Sequence, residues 1–168
     1  MSQPDDPHPD DPHPPMLLLD SLSATAALAG RLARLAEAGD IIGLAGELGA
    51  GKTAFARAFI HARLGEMEVP SPTFTLVQIY QNGGAPIWHF DLYRLEDSAE
   101  IYELGIEEAF DSAICLIEWP EKMAGNAPRD WLEMRLNPGA GENSRRAVFT
   151  PHGARAERLL QRLGAPDG

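Results

Sequence analysis

Cysteines, basic residues and long apolar runs are scarce in this sequence. Cys115 has no second cysteine with which to form a disulfide, and its place in an apolar run favours a small core residue over a nucleophile. The longest apolar runs are far shorter than a membrane span. The first residues after Met1 are rich in Pro and Asp, whereas a signal peptide has a basic region and then an apolar region there. These absences predict a cytoplasmic protein without a membrane partner.

The shortage of basic residues also limits the kinds of partner. The chain has 14 Lys and Arg against 25 Asp and Glu, which gives a formal net charge of −11. Phosphate contacts need Lys and Arg, so a chain this acidic is a poor candidate for holding nucleic acid by itself. If the protein acts in an RNA pathway, we expect a partner to hold the RNA.

The chain divides into a tail and one domain. Residues 1–15 repeat the unit Pro-Asp-Asp-Pro-His, and Pro and Asp at this density form neither a helix nor a core. We therefore expect 1–15 to be a disordered acidic tail. The remaining stretch, 16–168, has the length and the apolar content of a single globular domain, and we expect it to be monomeric alone.

One stretch, 46–53, reads Gly-Glu-Leu-Gly-Ala-Gly-Lys-Thr and fits the phosphate-loop pattern G-x-x-x-x-G-K-[ST] at every specified position. A short apolar run precedes it and an Ala-rich segment typical of a helix follows it. In such a loop the backbone N–H groups surround a phosphate, Lys52 reaches the β- and γ-phosphates, and the Thr53 hydroxyl can bind Mg²⁺. The alternative is a glycine turn that happens to contain Lys and Thr.

The rest of the chain alternates between strand and helix patterns. Strands are predicted at 16–19, 40–45, 74–80, 87–91, 113–117, 131–136 and 146–150, and 74–80 is expected to pair with 87–91 as an antiparallel hairpin. This alternation predicts an α/β protein, a three-layer sandwich of the phosphate-loop NTPase type with a mixed central sheet. A nucleotide is then expected at the carboxyl ends of the central strands.

Two carboxylates at strand ends are candidates for the chemistry that a phosphate loop lacks. Glu118 follows four apolar residues, as does the acidic residue that complements a phosphate loop, and it could hold a Mg²⁺-bound water or polarise the attacking one. Asp91 could be a second carboxylate of the Mg²⁺ shell or could pair with Arg94. For His89, a structural role is at least as well supported as a functional one.

Several segments together resemble the TsaE family, the small bacterial ATPases of tRNA threonylcarbamoyladenosine biosynthesis. The segments are Gly-Glu-Leu-Gly-Ala-Gly-Lys-Thr at 46–53, Ser-Pro-Thr-Phe-Thr-Leu-Val at 71–77, His-Phe-Asp-Leu-Tyr-Arg at 89–94, Gly-Ile-Glu at 105–107 and Ile-Glu-Trp-Pro at 117–120. The phosphate loop is generic, and the segments at 89–94 and 117–120 are the specific part. The acidic tail has no counterpart in the family pattern.

The resemblance implies a Mg²⁺-dependent ATPase that is slow alone and acts with a TsaB–TsaD complex, in which TsaD modifies an adenosine of tRNA. It implies that ATP contacts the loop residues Leu48, Gly49, Ala50, Gly51, Lys52 and Thr53. It further implies that Thr53 and Glu118 handle Mg²⁺ and that Lys52, Asp91 and Glu118 support turnover. Thr73 would lie in a switch-like loop, Trp119 beside the nucleotide and Thr25 near the nucleoside.

Two other functions remain open from the residues alone. A phosphotransferase could pass the γ-phosphate to a small molecule, although no separate substrate lid is evident in so short a chain. A nucleotide-dependent binding switch would use ATP binding to set the affinity for a partner, with hydrolysis of little importance.

Overall fold

The chain forms seven strands, four α-helices and two 3-10 helices within the residues that the computed structural model describes, 15–72 and 75–164. The strands are β1 (Met16–Leu19), β2 (Ile41–Ala45), β3 (Val77–Tyr80), β4 (Ile87–Asp91), β5 (Ile114–Glu118), β6 (Trp131–Pro138) and β7 (Arg145–His152). The α-helices are α1 (Leu22–Leu35), α2 (Lys52–Leu64), α3 (Ile106–Ser112) and α4 (Ala154–Gly164), and the 3-10 helices are Ser98–Leu104 and Pro120–Asn126.

The strands form one mixed sheet in the order β1-β7-β6-β2-β5-β4-β3. Strand β2 is parallel to both of its neighbours, β5 and β6, and β4 is parallel to β5. The pairs β1–β7, β6–β7 and β3–β4 are antiparallel. The predicted hairpin is therefore confirmed, and the carboxyl ends of β2, β5 and β4 meet at one edge of the sheet.

Apolar side chains cover both faces of the sheet. Alternate residues of β5 belong to different clusters, since Leu116 packs with α1, α2 and α4 while Ile117 packs with α3 and the 3-10 helices. Because β5 is buried on both sides, it is apolar at every position from Ile114 to Ile117. Helices, sheet and helices form the three layers, and the predicted α/β sandwich with a mixed sheet is confirmed.

Two segments differ from the sequence prediction. Of the strand predicted at 74–80, Phe74 lies outside the described residues, and the strand that is described begins at Val77. Leu76 has a left-handed backbone with φ of 65° that interrupts the extended chain. The segment at 98–104 is a 3-10 helix, with Asp97 accepting a hydrogen bond from Ala99 N and Gly105 ending it in a left-handed conformation. Strand β6 continues two residues beyond its predicted end, and β7 begins one residue earlier and ends two residues later than predicted.

The predicted tail lies almost wholly outside the described residues. Its last residue, Pro15, is described, and its carbonyl accepts a hydrogen bond of 2.9 Å from Phe149 N, next to the first pair of β1 and β7. Within 15–72 and 75–164, the helices are all too short or too polar to cross a membrane.

Strand β2 contains a glycine at a close approach between elements. A Cβ built on Gly43 would lie 2.5 Å from the Trp131 ring and 2.9 Å from Cβ of Pro120. Both distances are shorter than real carbon contacts, so Gly43 leaves the space that these two side chains fill. Pro120 follows the end of β5, and the packing on Gly43 therefore fixes how the chain leaves that strand.

Candidate functional site

The phosphate-loop sequence forms the turn from β2 into α2. Strand β2 ends at Ala45 and α2 begins at Lys52, with Gly51 as its N-cap residue. Gly46 has φ of 142°, and a Cβ at that position would lie 2.7 Å from the carbonyl oxygen of Leu136 in β6. Only glycine fits such a backbone, which explains the first glycine of the motif.

Lys52 is the first residue of α2, and its side chain folds over the loop. Its Nζ donates hydrogen bonds to the carbonyl oxygens of Gly46 and Glu47, the second at 2.9 Å, and lies 3.9 Å from the centroid of the Trp119 ring. Burial lowers the pKa of Lys52 below its ordinary value of 10.5, while the negative charges of Glu118, Glu121 and Asp91 act in the opposite direction.

Thr53 and Glu118 are joined directly across the site. The Thr53 hydroxyl donates to Oε1 of Glu118 at 2.8 Å, and Oε2 of the same carboxylate lies 2.7 Å from Nε2 of His89. Glu118 is 3% exposed and His89 is fully buried. Because an ionised carboxylate only accepts hydrogen bonds, the two oxygens of Glu118 each take one protein donor.

Asp91 ends β4 as Glu118 ends β5, and these two residues are partners in the parallel register. The Asp91 carboxylate accepts a hydrogen bond of 3.0 Å from Tyr93 N, and the residue is 6% exposed. Two carboxylates on adjacent strand ends thus face the start of α2, as expected for the carboxyl edge of a parallel sheet.

Trp119 turns the chain sharply after β5. It has a left-handed backbone with φ of 60°, which is costly for a bulky residue. Its ring packs against the Tyr93 ring with the centroids 4.9 Å apart, and it also contacts the Lys52 ammonium. Backbone strain at a residue that lines a cleft is typical of functional sites.

These side chains surround one cavity of about 370 Å³. Its lining includes nearly all of the predicted site residues together with Tyr93, Arg94 and Ala54: Leu48, Gly49, Ala50, Gly51, Lys52, Thr53, Asp91, Glu118 and Trp119. Leu48 and Tyr93 are 72% and 44% exposed, so the mouth of this cavity carries apolar surface. We refer to it as the loop cavity.

Thr25 and Thr73 are the two remaining predicted residues. Thr25 lies in α1, where it is buried and its hydroxyl donates to the carbonyl of Ser21 at 3.4 Å. Its predicted place near a nucleoside stays a prediction. Thr73 lies outside the described residues, so its predicted switch role stays a prediction too.

Two contributors to the site were not among the predicted site residues. Arg145, at the start of β7, donates from Nε to the carbonyl of Ala50 at 2.8 Å and from Nη2 to that of Gly49 at 3.4 Å, which fixes the phosphate loop from behind. No local pattern indicates this long-range contact. His89 did carry a signal, because strand alternation places it on the same face of β4 as Asp91.

A larger cavity, of about 540 Å³, lies at the other edge of the sheet. Its walls come from β1, β7, α4 and α1 and are mostly apolar, with Arg31 and Glu157 as the charged residues among them. It contains none of the predicted catalytic or binding residues. We therefore take the smaller loop cavity, where the polar groups converge, as the candidate functional site.

The oxygen donors of the loop cavity suit Mg²⁺. The Thr53 hydroxyl and the Glu118 and Asp91 carboxylates are the hard ligands that Mg²⁺ prefers. Across 15–72 and 75–164, groups of three or more His, Cys, Asp and Glu suited to a metal ion are absent. A cation here would complete its shell with phosphate oxygens and water, which is the usual arrangement for Mg²⁺.

The fold and the loop cavity together define an α/β protein of the phosphate-loop class. The family model described as "Threonylcarbamoyl adenosine biosynthesis protein TsaE" matches residues 19–147. The chain belongs to the TsaE family.

Individual relatives agree with this membership. The chain is 38% identical over 144 residues to the tRNA threonylcarbamoyladenosine biosynthesis protein TsaE of Bacillus subtilis, covering 85% of this chain and 89% of the relative. It is 41% identical over 140 residues to that of Rickettsia conorii, covering 82% and 79%. The crystal structure of YdiB from Bacillus subtilis superposes with a TM-score of 0.74 at 32% identity, covering 89% of this chain and 93% of that one.

Proposed function

We propose that this protein is a Mg²⁺-dependent ATPase that supports threonylcarbamoyladenosine modification of tRNA. The observation that carries the proposal is the convergence of Lys52, Thr53, Asp91 and Glu118 on one cavity at the end of the phosphate loop. Each side chain has the chemistry that phosphoryl transfer requires, namely a cation for phosphate oxygens and hard oxygen donors for Mg²⁺. Membership of the TsaE family supplies the pathway.

The residues divide the work by position. Lys52 exchanges its carbonyl partners for phosphate oxygens, and the backbone N–H groups of the loop hold the same anion. Thr53 and Glu118 would hold Mg²⁺, which when bound would neutralise charge on the phosphates. Asp91, beside Glu118, orients water at the strand ends, and the Trp119 ring borders the nucleotide.

We further propose that the ATPase acts with a TsaB–TsaD complex in the cytoplasm and is slow without it. Exposed Leu48 and Tyr93 at the mouth of the loop cavity support this, because they offer apolar surface to a partner beside the nucleotide. A net charge of −11 supports an indirect role toward tRNA, since the chain repels phosphate at long range.

The test is ATP hydrolysis by the purified protein, alone and with TsaB and TsaD from the same organism. We expect slow phosphate release alone, a clear rise with the complex, and loss of both when Mg²⁺ is chelated. Absence of any stimulation with an active complex would contradict the proposal.

The same assay separates the alternatives. Stoichiometric phosphate release without a phosphorylated acceptor argues against a phosphotransferase. A Glu118→Gln variant that binds ATP but does not hydrolyse it should fail to support tRNA modification; full support would favour a nucleotide-dependent binding switch. Exposed Leu48 and Tyr93 are the feature that such a switch would use.

A further inference from the structure

His89 is an unusual residue for its position in the core. It lies in the middle of β4, fully buried, between Trp88 and Phe90. Its Nε2 contacts Glu118, whereas its Nδ1 has no hydrogen-bond partner in the described part of the chain. A buried polar atom without a partner lowers stability, so an apolar side chain would serve packing better here.

The contact with Glu118 suggests a role for the His89 imidazole that an apolar side chain could not perform. Glu118 ends β5 and has two carboxylate oxygens, of which Oε1 takes the Thr53 hydroxyl at 2.8 Å and Oε2 takes His89 at 2.7 Å. Two donors on opposite oxygens fix the rotation of the carboxylate. Without His89, only the Thr53 hydroxyl would restrain that rotation among these contacts.

The position of His89 in the sheet explains how it reaches this oxygen. Glu118 is the register partner of Asp91, and His89 is the register partner of Leu116, so His89 and Glu118 are diagonal neighbours on the same face. The imidazole therefore reaches the Glu118 carboxylate from the neighbouring strand β4, whereas the Thr53 hydroxyl reaches it from the start of α2.

We propose that His89 is a positioning residue that holds the Glu118 carboxylate in the orientation needed, with Thr53, to bind Mg²⁺ together with a nucleotide. This inference rests on the proposed function. The Thr53 hydroxyl has one hydrogen and two lone pairs, so it can keep donating to Glu118 while its oxygen faces a cation. Outer partners of metal ligands typically change metal affinity or activity by about 10- to 100-fold when they are removed.

The test compares ATP affinity measured by calorimetry in excess Mg²⁺ and in EDTA. The ratio of the two affinities, which we call the Mg²⁺ increment, reports the Thr53–Glu118 side of the site, while affinity in EDTA reports Lys52 and the loop. In His89→Leu we expect the Mg²⁺ increment to fall about 10-fold or more, with unchanged affinity in EDTA. In a folded His89→Leu protein, equal losses in both buffers would leave the Mg²⁺ increment intact and would overturn the proposal.

A matched pair of polar variants keeps the test valid if the leucine variant folds poorly. The amide nitrogen of Gln reaches the place of Nε2, whereas that of Asn reaches only the place of Nδ1. His89→Gln should therefore keep most of the Mg²⁺ increment and the hydrolysis rate, and His89→Asn should lose both. Equal behaviour of the two variants would overturn the role of the donor at Nε2.

A double-mutant cycle tests whether His89 acts through Glu118. In a Glu118→Gln background, His89→Leu should cause no further loss of the Mg²⁺ increment, because the group that it positions has already changed. Independent, multiplicative losses would overturn the proposal. Ile87→Val, which alters buried packing two residues away on the same face of β4, should lower the melting temperature and leave the Mg²⁺ increment intact.

The wild-type protein separates this inference from the proposed function. A wild-type Mg²⁺ increment that persists in His89→Leu and His89→Asn would remove only the role of His89. A wild-type protein that binds ATP equally well in Mg²⁺ and in EDTA would overturn the proposed Mg²⁺-dependent ATPase as well.

Discussion

Asp91 and Glu118 stand opposite each other as register partners at the ends of two adjacent parallel strands. Both are nearly buried, at 6% and 3% exposed, and both line the loop cavity. Two carboxylates held this close repel each other unless donors and a cation offset their charge. Lys52, Thr53 and His89 supply part of that compensation, and the proposed Mg²⁺ would supply more.

Lys52→Ala should abolish tight ATP binding. The change removes a buried ammonium that can bond phosphate oxygens, and charged hydrogen bonds contribute about 1.5–3 kcal/mol, so we expect a loss of about 10- to 100-fold or more in affinity. Calorimetric titration with ATP in EDTA measures this loss of affinity without the contribution of Mg²⁺. Lys122→Ala, an exposed lysine that does not line the loop cavity, is the control. Unchanged affinity in Lys52→Ala would refute the assignment.

Asp91→Asn should lower turnover more than binding. The amide oxygen can still accept the hydrogen bond from Tyr93 N, so the local fold is kept while the negative charge is lost. We expect kcat for ATP in the presence of partners to fall at least about tenfold, which corresponds to about 1.4 kcal/mol in the barrier. An unaltered rate would exclude Asp91 from the catalytic residues.

Arg145→Ala should weaken ATP binding, although Arg145 contacts the backbone of the phosphate loop and does not line the loop cavity. The guanidinium group restrains the carbonyls of Ala50 and Gly49, and its loss leaves the loop to be ordered by the ligand. We expect about a tenfold loss of affinity. The adjacent exposed Arg146→Ala is the matched control, and equal affinities in the two variants would contradict the restraint.

ATP should change the tryptophan fluorescence of the protein through Trp119. Its ring lies 3.9 Å from the Lys52 ammonium, and binding that draws Lys52 toward phosphate changes the surroundings of the indole. The signal should disappear in Trp119→Phe and persist in Trp131→Phe, because Trp131 packs on His152 outside the loop cavity. A signal retained in Trp119→Phe would show that this contact does not respond to ATP.

Cys115 should be inert in the folded protein. Burial raises the pKa of its thiol to about 12 from 9.0, because the charged thiolate is disfavoured in the core. At about pH 8 a thiol reagent should therefore label the unfolded protein readily and the native protein only as fast as it opens. Because the pKa of the thiol is higher in the folded than in the unfolded protein, its contribution to the free energy of unfolding is complete below the pKa of the unfolded state. This contribution declines as pH rises from about 9 toward 12.

The Cys115→Ala variant should lack this decline in the free energy of unfolding.

Local patterns were sufficient for the phosphate loop and the sheet strands. Gly46 through Thr53 and the apolar run at β5 carry their structural requirements within a few residues, and the fold followed from their order. The limits of prediction are at Leu76 and Arg145. The left-handed backbone of Leu76 delays β3 to Val77, and the bond from Arg145 to Ala50 joins residues far apart in sequence. Tertiary packing determines both the start of β3 and the hydrogen bond of Arg145, and no local residue pattern predicts either feature.

His89 illustrates a different limit. Its place in a strand was predictable, but its contact with Glu118 depends on β4 being the parallel neighbour of β5 and on the register between them. Several strand orders are compatible with the same residue pattern, and only one brings the imidazole diagonally beside that carboxylate. The sequence therefore left its role open between packing and function.

The glycine at position 43 limits which substitutions the sequence of this protein can accept. Trp131 and Pro120 occupy the space that a β-carbon would need, and Pro120 is bonded to the residue whose ring touches Lys52. A single methyl group added in the centre of the sheet would push on the turn that carries Trp119. Gly43 lines neither of the two cavities described above. Substitutions at this strand position are nevertheless restricted by the geometry of the loop cavity as much as by the packing of the core.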